Sequence, residues 1–260
     1  MPPLVLKLAL RLHRSALLRR LARRIAKGWS IRQSFHGGVI FLDAVDHSWS
    51  WTGGRPMERF DPEIQDCLLE LARPRGRFLD LGCNIGVMTL AVLLRSPHTR
   101  VVAFDPNRRA IELLARSLRS NRLEDRAVLH AAAVSAGETT LPFDARDSFT
   151  GHVATGGPPA PAVSFASLVT EHAPGPVAVK IDVEGYESRL ADAIAHAPVP
   201  FGSAALLELH PAGFNGLGDP HQVVRRLQAS GRLRCRLLGG GDPATCDPAN
   251  FHQLLVEWPG

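Results

Sequence analysis

The stretch Phe78-Leu79-Asp80-Leu81-Gly82-Cys83-Asn84-Ile85-Gly86 decides the fold of this 260-residue chain. An apolar run ends on acid-bearing residues, a turn bracketed by two glycines follows, and a helical pattern starts near Val87. Glycine tolerates positive φ and lets backbone approach a ligand closely. The helix start that follows offers unpaired N–H groups and a positive dipole end, which suit an anionic group.

Working outward, Val101-Val102-Ala103-Phe104-Asp105-Pro106-Asn107 reads as the next strand. It ends on Asp105, 19 residues beyond Gly86, where a carboxylate can accept from both hydroxyls of a ribose. A dinucleotide-binding fold uses the same geometry. Here, however, Asn84 stands where G-x-G-x-x-G requires glycine, and fewer glycines suit a nucleoside ligand with no diphosphate to cradle.

A third segment, Val179-Lys180-Ile181-Asp182-Val183-Glu184-Gly185-Tyr186-Glu187, places Asp182 at a strand end and two more acids in the turn behind it. The three segments, in this order, resemble the FkbM family of S-adenosylmethionine-dependent methyltransferases. The resemblance spans about residues 38 to 258, and Lys180–Glu187 is its most specific part. It implies S-adenosylmethionine as cofactor, held by Asp80, Gly82, Cys83, Asn84, Gly86, Asp105, Pro106, Asn107 and Asp182. It also implies O-methylation of a small-molecule hydroxyl on a sugar, glycolipid or polyketide-type metabolite. N- or C-methylation of a metabolite is the enzymatic alternative, and a non-catalytic cofactor-binding subunit the other.

The alternation of strand and helix patterns argues for parallel βαβ units. Strands are read at 77–82, 100–105, 127–131, 177–183, 204–210, 232–238 and 251–258. This fits a class I methyltransferase, a Rossmann-like, doubly wound sheet of seven strands with the last antiparallel. Residues 77–260 form the catalytic core and 37–76 a pre-domain hairpin and helix, together one methyltransferase domain over 37–260. Asp61-Pro62 starts the pre-domain helix, with aspartate as N-cap and proline at the first helical position. The Gly/Pro-rich stretch 151–163 reads as a loop.

In open α/β sheets ligands bind beyond the strand carboxyl ends. Asp182 should therefore lie near the transferred methyl, with Glu187 in the following helical turn. Glu208 and His210 share a face of the fifth strand by the period-two rule. Asp182, His210, Glu208 and Glu187 are the catalytic candidates. The cluster fits a general base with an orienting partner. It also fits a divalent metal on Asp182, Glu208 or His210, or acids that only cap a helix. Many family members carry a Leu-Asp pair where this chain has Phe165-Ala166-Ser167-Leu168, which weighs against the metal. Ala131–Ser135 is the expected adenine wall, and His130 reads as structural.

Four cysteines without CxxC spacing argue against a zinc site or a disulfide framework and for a reducing cytoplasm. Eight basic residues and no acid lie in residues 1–27, leaving 22 against 25 acids and a formal charge of −3 from Gly28 onward. The sequence pI of about 9.5 thus belongs to a basic arm over 1–36, and the body offers no basic platform, so no nucleic-acid partner is expected. The arm's uncharged runs are too short for a signal peptide or a membrane span. Residues 16–27 set Leu17, Leu18, Leu21, Ala22, Ile25 and Ala26 opposite Arg19, Arg20, Arg23, Arg24 and Lys27. That pattern fits a helix packed on the body, or one docked on an anionic membrane or partner protein.

Overall fold

The computed structural model describes residues 26, 28–53, 55–144, 151–154 and 156–259. The amphipathic segment 16–27 therefore lies, apart from Ala26, outside the described residues. No helix among the described residues is long and apolar enough to cross a membrane.

The elements run β1 (Ser30–Phe35), β2 (Gly38–Asp43), α1 (Ser48–Gly53), α2 (Pro62–Arg75), β3 (Arg77–Leu81), α3 (Val87–Arg95), β4 (Arg100–Phe104), α4 (Arg108–Asn121) and β5 (Ala127–His130). They continue with β6 (Ala133–Ser135), β7 (Thr140–Asp144), β8 (His152–Val153), β9 (Pro159–Ser164), α5 (Phe165–His172), β10 (Ala178–Ile181) and α6 (Glu187–His196). The chain closes with β11 (Ala204–Leu209), α7 (Pro220–Ala229), β12 (Arg234–Leu237) and β13 (His252–Glu257).

Seven strands form one sheet in the order β12-β13-β11-β10-β3-β4-β5. All neighbours from β11 to β5 are parallel, and β13 is antiparallel to both β11 and β12. This is the class I methyltransferase arrangement, with the last strand inserted antiparallel. Strand periodicity divides the core. Leu79, Leu81, Val179, Ile181, Ala205 and Leu207 face a layer containing α5, α6 and α7. Phe78, Val101, Ala103, Ala178 and Leu206 face the layer of α2, α3 and α4. Both faces are covered, as parallel strands require.

The pre-domain hairpin β1–β2 starts at Ser30, inside the segment read as arm. Its free edge is closed by side chains of α4. Asn121 donates to Val39 O (2.6 Å) and accepts from Val39 N (2.9 Å), and Ser117 Oγ accepts from Phe41 N (2.9 Å). Helix α2 begins at Pro62 as expected, but Asp61 does not cap it with its side chain. Asp61 sits at φ 44°, in the left-handed region, and accepts from Ile64 N and Gln65 N through its carbonyl.

The stretch read as a loop is partly sheet. β8 and β9 join β6 and β7 in a four-stranded sheet of order β6-β9-β7-β8. The prolines that suggested a loop are accommodated by the pairing. β9 pairs with β7 through Pro159–Pro161 and with β6 through Ala162–Ser164. Each proline thus lies where only one edge of the strand is engaged, and its missing N–H is tolerated.

Candidate active site

The period-two rule puts Asp80 and Lys180 on one face of adjacent strands, in direct register. Asp80 is fully buried, and its Oδ2 accepts from Thr89 Oγ1 on α3 at 2.6 Å. Lys180 Nζ lies 3.7 Å from Asp80 Oδ1 and 3.0 Å from Asp182 Oδ2, and donates to Gly82 O at 3.0 Å. One buried ammonium thereby ties the glycine turn to the ends of β3 and β10. Burial opposes the ammonium charge, but Asp182 and Asp80 outweigh it and raise its pKa. Burial raises that of Asp80.

The turn is built by close approach. A Cβ on Gly82 would lie 1.7 Å from Asp182 O, and Gly82 has φ +81°. Gly86 is the N-cap residue of α3 and packs where a Cβ would meet Leu114 at 2.2 Å. Asn84, at φ 49°, donates its N–H to Asp105 Oδ2 at 2.8 Å. Asp105 Oδ1 accepts from Asn107 N at 2.8 Å, and Asn107 caps α4 through Arg109 N. Burial pushes the Asp105 carboxyl up to about 6. Each of its oxygens has one lone pair left for a ligand hydroxyl.

Two clefts open beyond the strand ends. The first is lined by Asp105, Pro106, Asn107, Ala132, Ala133 and Val134, with Phe143 and Val153 from the small sheet. It holds the expected ribose position and the expected adenine wall side by side. The second is lined by Phe60, Cys83, Glu208, His210, Phe214 and Phe251. Gly82, Asn84, Asp182 and Glu184 belong to both. They form the wall across which two bound molecules would meet.

The predicted residues divide accordingly. Gly82, Asn84, Asp105, Pro106, Asn107 and Asp182 line the first cleft, whereas Cys83 lines the second. Asp80 and Gly86 line neither and hold the turn from beneath. Among the catalytic candidates, Asp182, Glu208 and His210 converge on the second cleft. Glu187 does not reach it: the residue is buried, and Oε1 accepts from Val183 N at 2.8 Å while lying 3.2 Å from His210 Nδ1. It stands behind the imidazole, away from the cleft. His130 stacks on Phe104, ring centroids 4.5 Å apart, as a structural group.

Glu184 belongs with the catalytic candidates, and the sequence reading passed over it as a turn residue. Its φ of +57° turns the side chain back toward His210, with Oε2 3.7 Å from Nε2. The signal for it was the adjacent Gly185, which marks a turn tight enough to return the chain. Burial, then the neighbouring Asp182, pushes Glu184 up to about 8. The same two causes push Glu208 up to about 7. Burial acts against a charged His210 ring, but Glu187, Asp182 and Glu208 together raise it to about 9.

Residues 59–145 match the model of the methyltransferase small domain, the segment that carries the glycine turn and Asp105. A search of curated proteins gave no match. Among solved structures, a protein provisionally named an rRNA methylase from Clostridium thermocellum is 14% identical. It covers 76% of this chain and 95% of its own, with a TM-score of 0.50. The tRNA m1G37 methyltransferase of M. jannaschii is 12% identical, over 88% of this chain and 55% of that one, with a TM-score of 0.48. An O-methyltransferase from Bacillus cereus, solved with S-adenosylhomocysteine, is 13% identical over 82% and 96%, with a TM-score of 0.46.

These likenesses correct one expectation. A protein named for rRNA stands among the neighbours with a TM-score of 0.50, so the exclusion of nucleic acid does not hold. A formal charge averaged over the body says nothing about the local field at a site. The comparisons support methyltransferases as a class and not the FkbM family in particular. Fold and matched segment together support an S-adenosylmethionine-dependent methyltransferase, with S-adenosylmethionine as its cofactor.

Proposed function

We propose that this chain transfers a methyl group from S-adenosylmethionine to a hydroxyl of a small molecule bound in the second cleft. The observation that supports it most is the shared wall: Asp182 and Glu184 line both clefts at the carboxyl ends of the strands. A donor in one cleft and an acceptor in the other meet there. Asp105 would hold the ribose hydroxyls, and Ala132–Val134 the adenine face. The cofactor supplies an activated methyl; the protein supplies alignment and a base.

Glu208 suits the base. It lines the acceptor cleft and titrates near 7, where a general base is most effective. Glu208 would take the proton of the acceptor hydroxyl as that oxygen displaces the sulfonium sulfur from the methyl carbon. The products are a methyl ether and S-adenosylhomocysteine. Phe60, Phe214 and Phe251 give the cleft apolar walls suited to a sugar or polyketide face. The Lys180–Glu187 segment, with its FkbM-like pattern, supports a hydroxyl acceptor of that kind. Methyl-labelled S-adenosylmethionine, offered with sugars, glycolipids, polyketides, amines and RNA, tests this reading. Label in an alkali-stable ether, mapped by NMR, is the expected result; label on nitrogen, carbon or RNA alone would replace it.

A further inference from the structure

We propose that Asp182, Glu184 and His210 form a divalent-metal site in the acceptor cleft. One ligand atom from each lies within 4.8 Å of the others. His210 Nε2 is 3.9 Å from Asp182 Oδ1 and 3.7 Å from Glu184 Oε2. Donors at right angles or opposite one another on an ion with bonds of about 2.1 Å stand roughly 3 to 4.2 Å apart. Both spacings from His210 fall in that range, and the two carboxylates lie within 4.8 Å of each other, so a small approach of one of them would complete the set.

The second observation is the histidine itself. His210 is only 3% exposed, and Nε2 is too far from either carboxylate for a hydrogen bond. The ring is fixed from behind by Glu187, 3.2 Å from Nδ1, and from the sides by Phe214 and Phe251, with centroids 4.7 and 5.4 Å away. Nδ1 is buried without a hydrogen bond, and Glu187 is the nearby carboxylate to which it could donate when a metal is bound at Nε2, as metal-binding histidines usually do. Glu208 and Asp61 add carboxylates to the same cleft, and its one lysine, Lys180, is engaged by Asp80 and by Asp182 Oδ2, which leaves Asp182 Oδ1 on the side of His210. The acid missing at Phe165–Leu168 is not part of this set; Phe165 and Leu168 are buried in the core.

One imidazole and two carboxylates suit an ion such as Mn²⁺, which accepts both donor types. Resting on the hydroxyl-acceptor reading, the ion would bind the acceptor oxygen, orient it toward the shared wall and ease loss of its proton to Glu208.

The test uses the full chain after chelator treatment. Mn²⁺ is titrated by electron paramagnetic resonance with S-adenosylhomocysteine present, and S-adenosylhomocysteine affinity is measured separately by calorimetry. One saturable Mn²⁺ per chain is expected, weakened at least tenfold in Glu184→Gln and His210→Ala and about 10- to 100-fold in Glu187→Gln. S-adenosylhomocysteine affinity should be unchanged in His210→Ala and Glu187→Gln, whose side chains do not line the cofactor cleft. If His210→Ala does not fold by circular dichroism, Glu184→Gln, at a half-exposed position, decides alone. No saturable Mn²⁺ binding to a wild type that binds S-adenosylhomocysteine, or binding untouched by Glu184→Gln, overturns the site. Failure to bind S-adenosylhomocysteine would instead overturn the cofactor reading.

Discussion

Lys180 Nζ stands 3.0 Å from Asp182 Oδ2 and is the only cation in contact with Asp80 among the described residues. The contact joins a strand interior to the wall between the two clefts. Removing the ammonium leaves a buried carboxylate uncompensated. Lys180→Met should therefore destabilise the protein by about 3–5 kcal/mol, read from denaturant unfolding. The double variant Lys180→Met with Asp80→Asn should recover part of that loss, because the two residues act as a unit. Additive losses would show that the pair does not interact.

Gly82→Ala should be among the most damaging single-methyl additions in the chain. Its Cβ would be placed 1.7 Å from Asp182 O at a φ of +81°. Either β10 shifts or the turn opens, and both separate the clefts. A fall in melting temperature together with loss of cofactor binding is expected. A variant of wild-type stability would mean that the chain at Gly82 can move away from Asp182 O at little cost.

Cofactor affinity should depend on pH through Asp105. Burial raises this carboxyl to about 6, so it loses its charge as pH falls through that value. S-adenosylmethionine should then bind more weakly below about 6, since hydrogen bonds to a charged acceptor are the stronger ones. The apo protein should respond with the opposite sign. A folded pKa above the ordinary 3.8 adds stability at low pH, and that stability is lost as pH rises through about 6. Calorimetry across pH 5 to 8 separates the two effects, and a flat binding profile would remove Asp105 from the ribose contact.

Glu208→Gln should lower kcat by roughly 10²- to 10⁴-fold and leave cofactor affinity unchanged. In the wild type the rate should rise with pH through about 7, as Glu208 loses its proton. The variant should lose that limb. An unchanged profile would pass the proton to another member of the cluster.

Much of this was legible because the strand ends carry the chemistry. Asp105 and Asp182 each follow the end of a strand, Asp80 stands one residue before the end of its own, and the glycines at 82 and 86 mark the turn by their spacing. What stayed hidden depends on contacts far apart in sequence. Nothing local says that Glu187 turns inward to His210, 23 residues on, rather than toward substrate. Glu184 looked like a turn residue because its left-handed φ is not encoded by its own side chain. Asp61 has the composition of an N-cap, yet tertiary packing holds it at φ 44° with its carboxylate released toward the acceptor cleft. The prolines of β9 concealed a strand because their tolerance depends on which edge is paired.

The cleft at Asp105 is assigned to S-adenosylmethionine, and every role given to the second cleft depends on that assignment. Calorimetric titration of the full chain with S-adenosylmethionine, and separately with NAD⁺, tests it most directly. Saturable 1:1 binding of S-adenosylmethionine is expected, weakened by about 1–3 kcal/mol in folded Asp105→Ala, with no binding of NAD⁺. Binding of NAD⁺ in its place, or S-adenosylmethionine affinity unaffected by Asp105→Ala, would contradict it.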